Sequence, residues 1–355
     1  MITTYTGKHK NVGDYLISHR AHNLLKHFID PDLVDLNRFD LPENMYDVIN
    51  NSDALFLCGG PAYRDAVYPK IYNLDLDKIH VPVIPYGVGW KADIKVQPED
   101  FSFTPESLGF IKRIHANIPR SSVRDFLTEK VIHLAGIDNV IMTGCPATYD
   151  LEFKDTAFSF KDEPESILVS GPAKADKYTL DLIKYIGTRF PKAQKKLALH
   201  HGYFPRYNRS GLEMGRRNAG LAATAAMNGF KIVNLSSDLP KMFEIYDRTD
   251  LHIGYRVHGH LYCTSKRIPS FLICEDVRGT GQLTTLGMPA ILSDDGTIDR
   301  IGVLLEEYFA RKGEMHNAYL PRLNEMWGVM ENFLHETKDF INHTAAQQNR
   351  KSARS

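Results

Sequence analysis

Short apolar runs alternate with longer segments of helical periodicity along the whole chain. Several of these runs are continuously apolar, which is typical of strands covered on both faces of a sheet. The pattern predicts strands at 2–5, 54–57, 81–86, 121–123, 140–142, 167–170, 197–200, 231–235, 251–254, 270–274 and 290–292. Because strands alternate with helices, the predicted fold class is α/β with parallel sheets and right-handed crossovers.

The length of 355 residues exceeds one ordinary hydrophobic core and suits two Rossmann-like domains. A polar, charged stretch at 154–165 predicts a linker, which places the domains at 1–155 and 166–312. Apolar residues then recur at three- and four-residue spacing, so segment 313–345 should contain a helix that packs on the core. The polar, basic end at 346–355 predicts a disordered tail.

Composition narrows the classes of function. The chain carries 43 basic and 43 acidic residues, which argues against a broad polyphosphate-binding surface, so no nucleic acid partner is expected. No run approaches the roughly 18 apolar residues that a membrane helix needs, so no transmembrane segment is expected. The four cysteines are scattered within or beside apolar runs, which predicts buried, reduced thiols in a cytoplasmic protein.

The most informative motif runs from Gly254 to His260, between a predicted strand and a helix-like run at 261–266. Carboxyl ends of strands and amino ends of helices are where open α/β sheets bind anions. Arg256 offers a permanent charge and a fork of donors for carboxylate or phosphate. His258 is the side chain best suited to move a proton near neutral pH. Together they indicate chemistry on a small anionic substrate.

Other motifs follow strands in the first half of the chain. Gly13 and Asp14 open a helix after the first strand, as a ligand loop or simply a capped turn. Gly60 lies in a glycine-rich strand end of the kind that allows close backbone approach to a ligand. Arg124 and Asp125 end another strand, either as a structural helix cap with an ion pair or with Arg124 as a second anion clamp.

Two loops in the second half add polar groups. His201, Tyr203 and Arg206 follow a strand, and such aromatic and charged side chains can stack on sugar rings and bond their hydroxyls. Arg278 follows the strand after the Arg256 element and reaches the same sheet edge, unless it belongs to a surface turn. Neither a His-x-x-x-His helix nor a suitably spaced carboxylate accompanies the histidines, so no metal is expected.

Taken in order, these motifs resemble the polysaccharide pyruvyl transferase family. The resemblance spans 7–289 and rests on segments 11–14, 59–61, 87–89, 122–125, 144–146 and 254–259. It implies two Rossmann-like doubly wound domains facing a cleft, as in GT-B glycosyltransferases. It also implies an enzyme of surface-polysaccharide synthesis that moves pyruvate from phosphoenolpyruvate onto a sugar as a ketal and releases phosphate.

The resemblance also suggests roles for individual residues. His258 would act as general acid or base, with Asp14 as a base or as the group that orients the acceptor hydroxyl. Arg256 and Arg124 would grip the donor's phosphate and carboxylate, supported by Arg278 and the backbone at Gly13 and Gly60. Many relatives carry lysine where this chain has Arg278, which keeps the charge of that side chain but not its shape.

The implied donor substrate is phosphoenolpyruvate, with no cofactor. We consider two alternatives for the acceptor sugar, one in which it is lipid-linked and one in which it is nucleotide-linked. A lipid-linked acceptor would require transient contact with the inner membrane face. Two other functions compete with this prediction: a GT-B glycosyltransferase using a nucleotide sugar, and a catalytically silent sugar-binding protein of the same fold.

Overall fold

The fold was obtained as a computed structural model, which describes residues 1–204 and 209–352. The chain divides into two compact units. Unit 1 contains Met1–Lys8, Ile17–Pro146 and the chain from Asn324 onward, and unit 2 contains His9–Leu16 and Ala147–Leu323. Each unit is built around parallel strands with helices between them, so the predicted α/β class is confirmed.

Unit 1 holds a parallel sheet in the order β2-β1-β3-β4. The strands are β1 (Ile2–Thr6), β2 (Leu33–Asn37), β3 (Leu55–Cys58) and β4 (Val83–Tyr86), followed by the parallel pair β5 (Ser121–Val123) and β6 (Val140–Met142). The helices between them are α1 (Val12–Phe28), α2 (Met45–Asn50), α3 (Pro105–Ala116) and α4 (Phe126–Leu134). A bridge between Val88 and Val123 joins the pair to the chain that follows β4.

Unit 2 holds a six-stranded parallel sheet in the order β9-β8-β7-β10-β11-β12. The strands are β7 (Ser166–Ser170), β8 (Gln194–Leu199), β9 (Phe230–Asn234), β10 (Leu251–Gly254), β11 (Ser270–Cys274) and β12 (Ile291–Leu292). From β7 onward, the helices that begin in this unit are α5 (Lys177–Arg189), α6 (Arg209–Met227), α7 (Leu239–Asp247), α8 (Val257–Ser265), α9 (Val277–Leu286), α10 (Thr297–Ala310), α11 (Glu314–Asn317) and α12 (Leu320–Ser352). The central strands β7, β10 and β11 are almost wholly buried, which explains their continuous apolar runs.

All the strands predicted from the apolar runs are present, with shifts of a few residues at their ends. One further strand, β2, was missed. It lies at the sheet edge and most of its residues are only half-buried, so its sequence is not a continuous apolar run. Its Asp35 forms an ion pair with Lys8 and accepts a hydrogen bond from the Thr4 hydroxyl at 2.9 Å. Because an edge strand can make polar contacts of this kind, its sequence lacks the continuous apolar run by which a buried strand is recognised.

The predicted boundaries between domains differ from the observed ones. The boundary between the long segment of unit 1 and the long segment of unit 2 falls at Pro146/Ala147 rather than near 155. The predicted linker belongs to unit 2, where Arg267 donates to the carbonyls of Lys154 at 3.0 Å and Thr156 at 3.1 Å. Segment His9–Leu16 also belongs to unit 2, although it follows the first strand of unit 1. These assignments depend on contacts between distant parts of the chain, which composition does not encode.

The C-terminal helix is longer than predicted and completes unit 1. Helix α12 continues to Ser352, beyond the residue 345 at which the sequence predicts its end. From Asn324 it is part of unit 1, where the Phe333 ring stacks on Tyr86 with centroids 6.0 Å apart. Lys338 donates to the carbonyl of Phe28 at 3.3 Å. The predicted apolar stripe is therefore a core face, as expected.

None of the described helices is both long enough and apolar enough to span a lipid bilayer.

The four cysteines are buried. Burial raises the pKa of the Cys58 and Cys263 thiols, and it raises the pKa of Cys274 to about 12. These three thiols are consequently poor nucleophiles, and the burial of all four cysteines is as the sequence predicted.

Replacing Phe333 with alanine should destabilise unit 1, because the ring is only 2% exposed and fills the space between α12 and the sheet. We expect Phe333→Ala to cost about 3–5 kcal/mol of unfolding free energy, measured by urea titration. Leu134→Ala is the matched control, since Leu134 is 56% exposed and should cost less than about 1 kcal/mol. Equal losses in the two variants would contradict this packing.

Candidate functional site

The direction of strand order in unit 2 reverses between β7 and β10. Helices that follow strands on either side of such a point lie on opposite faces of the sheet, and a crevice opens at the carboxyl ends of the two strands. Here those ends are Ser170 and Gly254, which are paired directly in the parallel ladder. The motif singled out from the sequence therefore begins at the topological switch point of the sheet.

The two strand ends approach very closely. A Cβ atom added to Gly254 would lie 2.5 Å from the carbonyl oxygen and 2.6 Å from the backbone nitrogen of Ser170. No ordinary side chain fits at such distances, so the position requires glycine. Tyr255 then donates its backbone N–H to the same Ser170 carbonyl at 2.9 Å. The close approach sets the position from which the next residue starts.

Arg256 is held by the end of β7. It is the N-cap residue of α8, and its backbone N–H donates to the Ser170 hydroxyl at 3.2 Å. Its Nε donates to the carbonyl of Gly171 at 2.7 Å. Burial lowers the pKa of the guanidinium, and the carboxylate of Glu275 opposes that shift. These contacts hold the positively charged guanidinium of Arg256 beside the ends of β7 and β10.

His258 lies in the first turn of α8, since the helix begins at Val257 and not at Leu261 as predicted. Its side chain is 6% exposed and packs against the first turn of α1. A Cβ added to Gly13 would lie 2.5 Å from His258 Nδ1 and 2.9 Å from its Cβ. Gly13 therefore lets the amino end of one helix reach the imidazole at the amino end of another.

The first turn of α1 is anchored within unit 2. Val12 donates its N–H to the carbonyl of His200 at 3.2 Å, and Ser237 donates to the carbonyl of Lys10 at 3.0 Å. The Asn11 side chain accepts from the Gly13 N–H at 3.3 Å. The first three N–H groups of α1 are thus bonded within the protein, and what the turn adds beside His258 is the partial positive charge of a helix start.

Arg278 is bonded to one carboxylate and lies near two others and near Arg256. Its Nε donates to both oxygens of Asp276 at 2.8 and 2.9 Å, and its Nη2 donates to Asp276 at 2.7 Å. Burial lowers the pKa of Arg278, but the carboxylates of Asp276, Glu275 and Asp14 together outweigh it, so the pKa is raised. Burial raises the pKa of Glu275, while Arg256 and Arg278 lower it. Asp14, Arg256 and Arg278 therefore belong to one electrostatic group.

Beneath this group lies a row of buried imidazoles. His200 Nε2 is 2.7 Å from the Tyr246 hydroxyl, and His252 bonds to the hydroxyls of Ser170 at 2.9 Å and Ser270 at 2.7 Å. The remaining two rings, His260 and His316, bond to the Ser270 side chain and backbone, respectively. Burial lowers the pKa of His252 and His260 to about 3, that of His316 to about 4, and that of His200 well below its usual value. These rings are neutral near pH 7.

The structure divides the predicted site residues between the two units. Five of them lie in unit 2 around the end of β10, and these are Gly13, Asp14, Arg256, His258 and Arg278. Arg124 and Gly60 lie in unit 1. Gly60 follows β3 with a φ of +77°, and the space around it is open. The roles predicted for these residues in catalysis and donor binding stay predictions.

The side chain of Arg124 is buried and hydrogen-bonded to neighbouring residues of unit 1. It is 1% exposed, its Nε donates to Asp125 at 3.0 Å, and its Nη2 donates to the carbonyl of Trp90 at 2.8 Å. The guanidinium lies directly against Gly89, where a side chain would collide with it. Asp125 also caps α4 by accepting from the Thr128 N–H at 2.7 Å. The capping alternative considered from the sequence is thus present, and a role of Arg124 as an anion clamp stays a prediction.

The predicted acceptor residues follow β8. His201 is half-buried, and the carbonyl of Tyr203 accepts from Asn218 Nδ2 at 3.1 Å. Arg206 lies outside the described residues. Within the part of the chain that is described, no three His, Cys, Asp or Glu side chains converge to hold a metal ion. An acceptor role for His201, Tyr203 and Arg206 stays a prediction, as does the absence of a metal requirement.

Several residues of this region were not predicted. Ser170 marks the end of a predicted strand, and Glu275 precedes a predicted site residue, but neither stands out by residue type. Tyr246 and His252 lie in a helix and a buried strand, where the sequence pattern indicates only core packing. A polar residue within an otherwise apolar strand, such as His252, is the one signal that could have revealed the buried network.

Comparison with protein families is consistent with this geometry. Residues 11–274 match the family described as polysaccharide pyruvyl transferase, a span that includes the α1 turn, Arg256 and His258. The chain belongs to the polysaccharide pyruvyl transferase family. The resemblance inferred from the motifs is confirmed, and so is membership in a family of transferases. A search of curated proteins finds no match.

Solved structures share the fold of this family member at low sequence identity. The Staphylococcus aureus MnaA–UDP structure has a TM-score of 0.59 at 10% identity, covering 96% of each chain. UDP-GlcNAc 2-epimerase from Neisseria meningitidis, bound to UDP-GlcNAc, has a TM-score of 0.53 at 12% identity and covers 98% of this chain and 99% of its own. The wall teichoic acid polymerase TagF has a TM-score of 0.50 at 13% identity, covering 98% and 89%. These proteins have the GT-B fold, which confirms the predicted fold class.

In this pyruvyl transferase family member, Gly13→Ala should force the α1 turn away from His258, because the new methyl would overlap the imidazole. We expect a loss of about 1–3 kcal/mol in unfolding free energy, measured by urea titration. The loss should be smaller in a His258→Ala background, where the ring atoms are gone. Gly220→Ala is the control, since open space surrounds that helical position and alanine should be neutral or stabilising. Strictly additive effects of Gly13→Ala and His258→Ala would contradict the contact.

The buried histidine row should make stability depend on pH. The folded pKa of His252 and His260 is about 3 and that of His316 about 4, against 6.5 when unfolded, so the unfolded chain binds more protons below pH 6.5. Stability is thus full above pH 6.5 and is lost on acidification towards the folded pKa, by up to about 1.4 kcal/mol per pH unit for each ring.

Urea unfolding between pH 7.5 and 5 measures this slope above the range in which most carboxylates titrate. His316→Phe removes one titrating ring and should give a shallower slope than the native chain. A free energy of unfolding that stays constant across this range would contradict the neutral, buried state of the row.

Proposed function

We propose that this protein transfers the pyruvate of phosphoenolpyruvate to a sugar of a surface polysaccharide or its precursor, forming a ketal and releasing phosphate. The observation that carries the proposal is the placement of Arg256 and His258 at the switch point of unit 2, in a chain that belongs to the pyruvyl transferase family. A fixed cation and a proton carrier at that point suit a small substrate with two anionic groups.

Anion recognition is supported by three features of the site. Arg256 is held by the end of β7, Arg278 lies in the same electrostatic group, and the first turn of α1 presents its amino end beside His258. Charge-assisted bonds from arginine to a carboxylate or phosphate contribute about 1.5–3 kcal/mol each. Arg278 is already bonded to Asp276, so we assign the primary anion contact to Arg256.

In the proposed reaction, His258 is the general acid and base. Delivery of a proton to the methylene carbon turns it into a methyl group and makes the adjacent carbon electrophilic. One sugar hydroxyl attacks that carbon and loses its proton, the C–O bond to phosphate breaks, and a second hydroxyl closes the ring and loses its proton. One released proton replaces the proton delivered, and the other leaves with phosphate. Asp14, a member of the same electrostatic group, would orient an acceptor hydroxyl or accept its proton.

The loop after β8 is our proposed acceptor region, with His201, Tyr203 and Arg206 as its contacts. Stacking of aromatic rings on sugars and hydrogen bonds to their hydroxyls would supply recognition. We place the reaction in the cytoplasm, where buried thiols such as Cys263 stay reduced. A lipid-linked acceptor would bring the enzyme to the inner membrane face, and a nucleotide-linked acceptor would not.

The test is thermal and chemical stability in the presence of phosphoenolpyruvate. At one hundred times its dissociation constant, the donor should add about 2.7 kcal/mol to the unfolding free energy of the native protein. Arg256→Ala should abolish this gain, because it removes the cation held at the switch point. Arg248→Ala is the matched control, since Arg248 forms an exposed ion pair with Glu244 at 3.1 Å and should keep the full response.

UDP-sugars form the comparison arm of this experiment, because two of the structures of the same fold contain bound UDP or UDP-GlcNAc. Stabilisation by UDP-sugars without stabilisation by phosphoenolpyruvate would indicate that the donor is a nucleotide sugar and not phosphoenolpyruvate. A response to phosphoenolpyruvate that survives Arg256→Ala would refute the assignment of the site.

A further inference from the structure

The orientation of Arg256 depends on groups outside the anion site. Its Nε donates to the carbonyl of Gly171 at 2.7 Å. With Nε committed to the backbone, only the edge formed by Nη1 and Nη2 can make a two-point contact with an anion. Its backbone N–H is bonded to the Ser170 hydroxyl at 3.2 Å. Two consecutive residues at the end of β7 therefore set both the position and the direction of the guanidinium.

The Ser170 hydroxyl is itself held in place. It is fully buried, and its oxygen is 2.9 Å from His252 Nε2. The opposite nitrogen of that ring, Nδ1, is 2.7 Å from the Ser270 hydroxyl, which is also 2.8 Å from His260 Nδ1. A hydroxyl locked in such a buried chain cannot rotate freely, so it presents a fixed acceptor to Arg256.

We infer that Ser170 is a positioning residue for anion binding, which aims Arg256 at the substrate from beneath the site, with His252 as its support. The inference rests on the proposed function, in which Arg256 grips the donor. Ser170 makes no contact with the substrate in this scheme. It acts through Arg256, in the manner of the outer groups that orient the ligands of a metal.

The fold offers a matched control for this role. Ser170 and Ser270 are both buried serines, and their hydroxyls bond to the two nitrogens of the same imidazole. Only Ser170 also bonds to Arg256, whereas Ser270 bonds to His260 and His316. Alanine at either position removes one hydrogen bond from His252, so both variants should lose stability. Only Ser170→Ala should also release Arg256.

The experiment measures the dissociation constant of phosphoenolpyruvate by titration calorimetry, with the melting temperature of each variant recorded in parallel. We expect Ser170→Ala to raise the dissociation constant about fivefold to tenfold, and Ser270→Ala to change it less than about twofold, at similar losses in melting temperature. Ser170→Thr keeps the hydroxyl and should bind more tightly than Ser170→Ala.

A double-mutant cycle with Arg256→Lys tests whether Ser170 acts through Arg256. Lysine keeps the charge but lacks the two-point edge of a guanidinium, so the direction that Ser170 sets should matter little and Ser170→Ala should have little further effect in that background. Equal weakening by Ser170→Ala and Ser270→Ala, or an undiminished effect of Ser170→Ala in the Arg256→Lys background, would overturn the inference. A native protein that does not bind phosphoenolpyruvate, or an Arg256→Lys variant that binds it normally, would instead refute the proposed function.

Discussion

The close contact between the ends of β7 and β10 is the constraint on which the site of unit 2 depends. Gly254 lies so near Ser170 that a side chain is excluded, and the next two backbone N–H groups donate to Ser170. Because parallel strands end at the same edge, this contact determines where α8 starts. Arg256 and His258 inherit their positions from it.

A second close contact completes the site from a distant part of the chain. The first turn of α1 precedes β7 by more than a hundred residues, yet it bonds to the carbonyl of His200 and packs Gly13 on His258. Both contacts use backbone atoms, and the second tolerates no side chain on the approaching residue. The imidazole consequently lies between two helix starts, where partial positive charge favours an anionic substrate.

Charge is balanced within the site rather than concentrated in it. Arg278 is bonded to Asp276, and Glu275 lies close enough to Arg256 for each to shift the other's pKa. Below these groups, neutral histidines and serine hydroxyls are hydrogen-bonded to one another and add no charge. Such a network is rigid because its members are buried, and each lost partner would leave a polar atom unsatisfied.

From local patterns the sequence predicts the fold class, nearly every strand, the family and the motif around Arg256, because apolar periodicity and residue type are local properties. It missed edge strand β2, whose half-buried residues leave no apolar run, and it placed the start of α8 four residues too late. The tertiary structure was needed to show that His9–Leu16 joins unit 2, that α12 completes unit 1, and that Arg124 is enclosed by Asp125 and Trp90. It alone revealed Ser170 and His252 beneath Arg256, since contacts between residues far apart in the chain arise from packing, which no local pattern encodes.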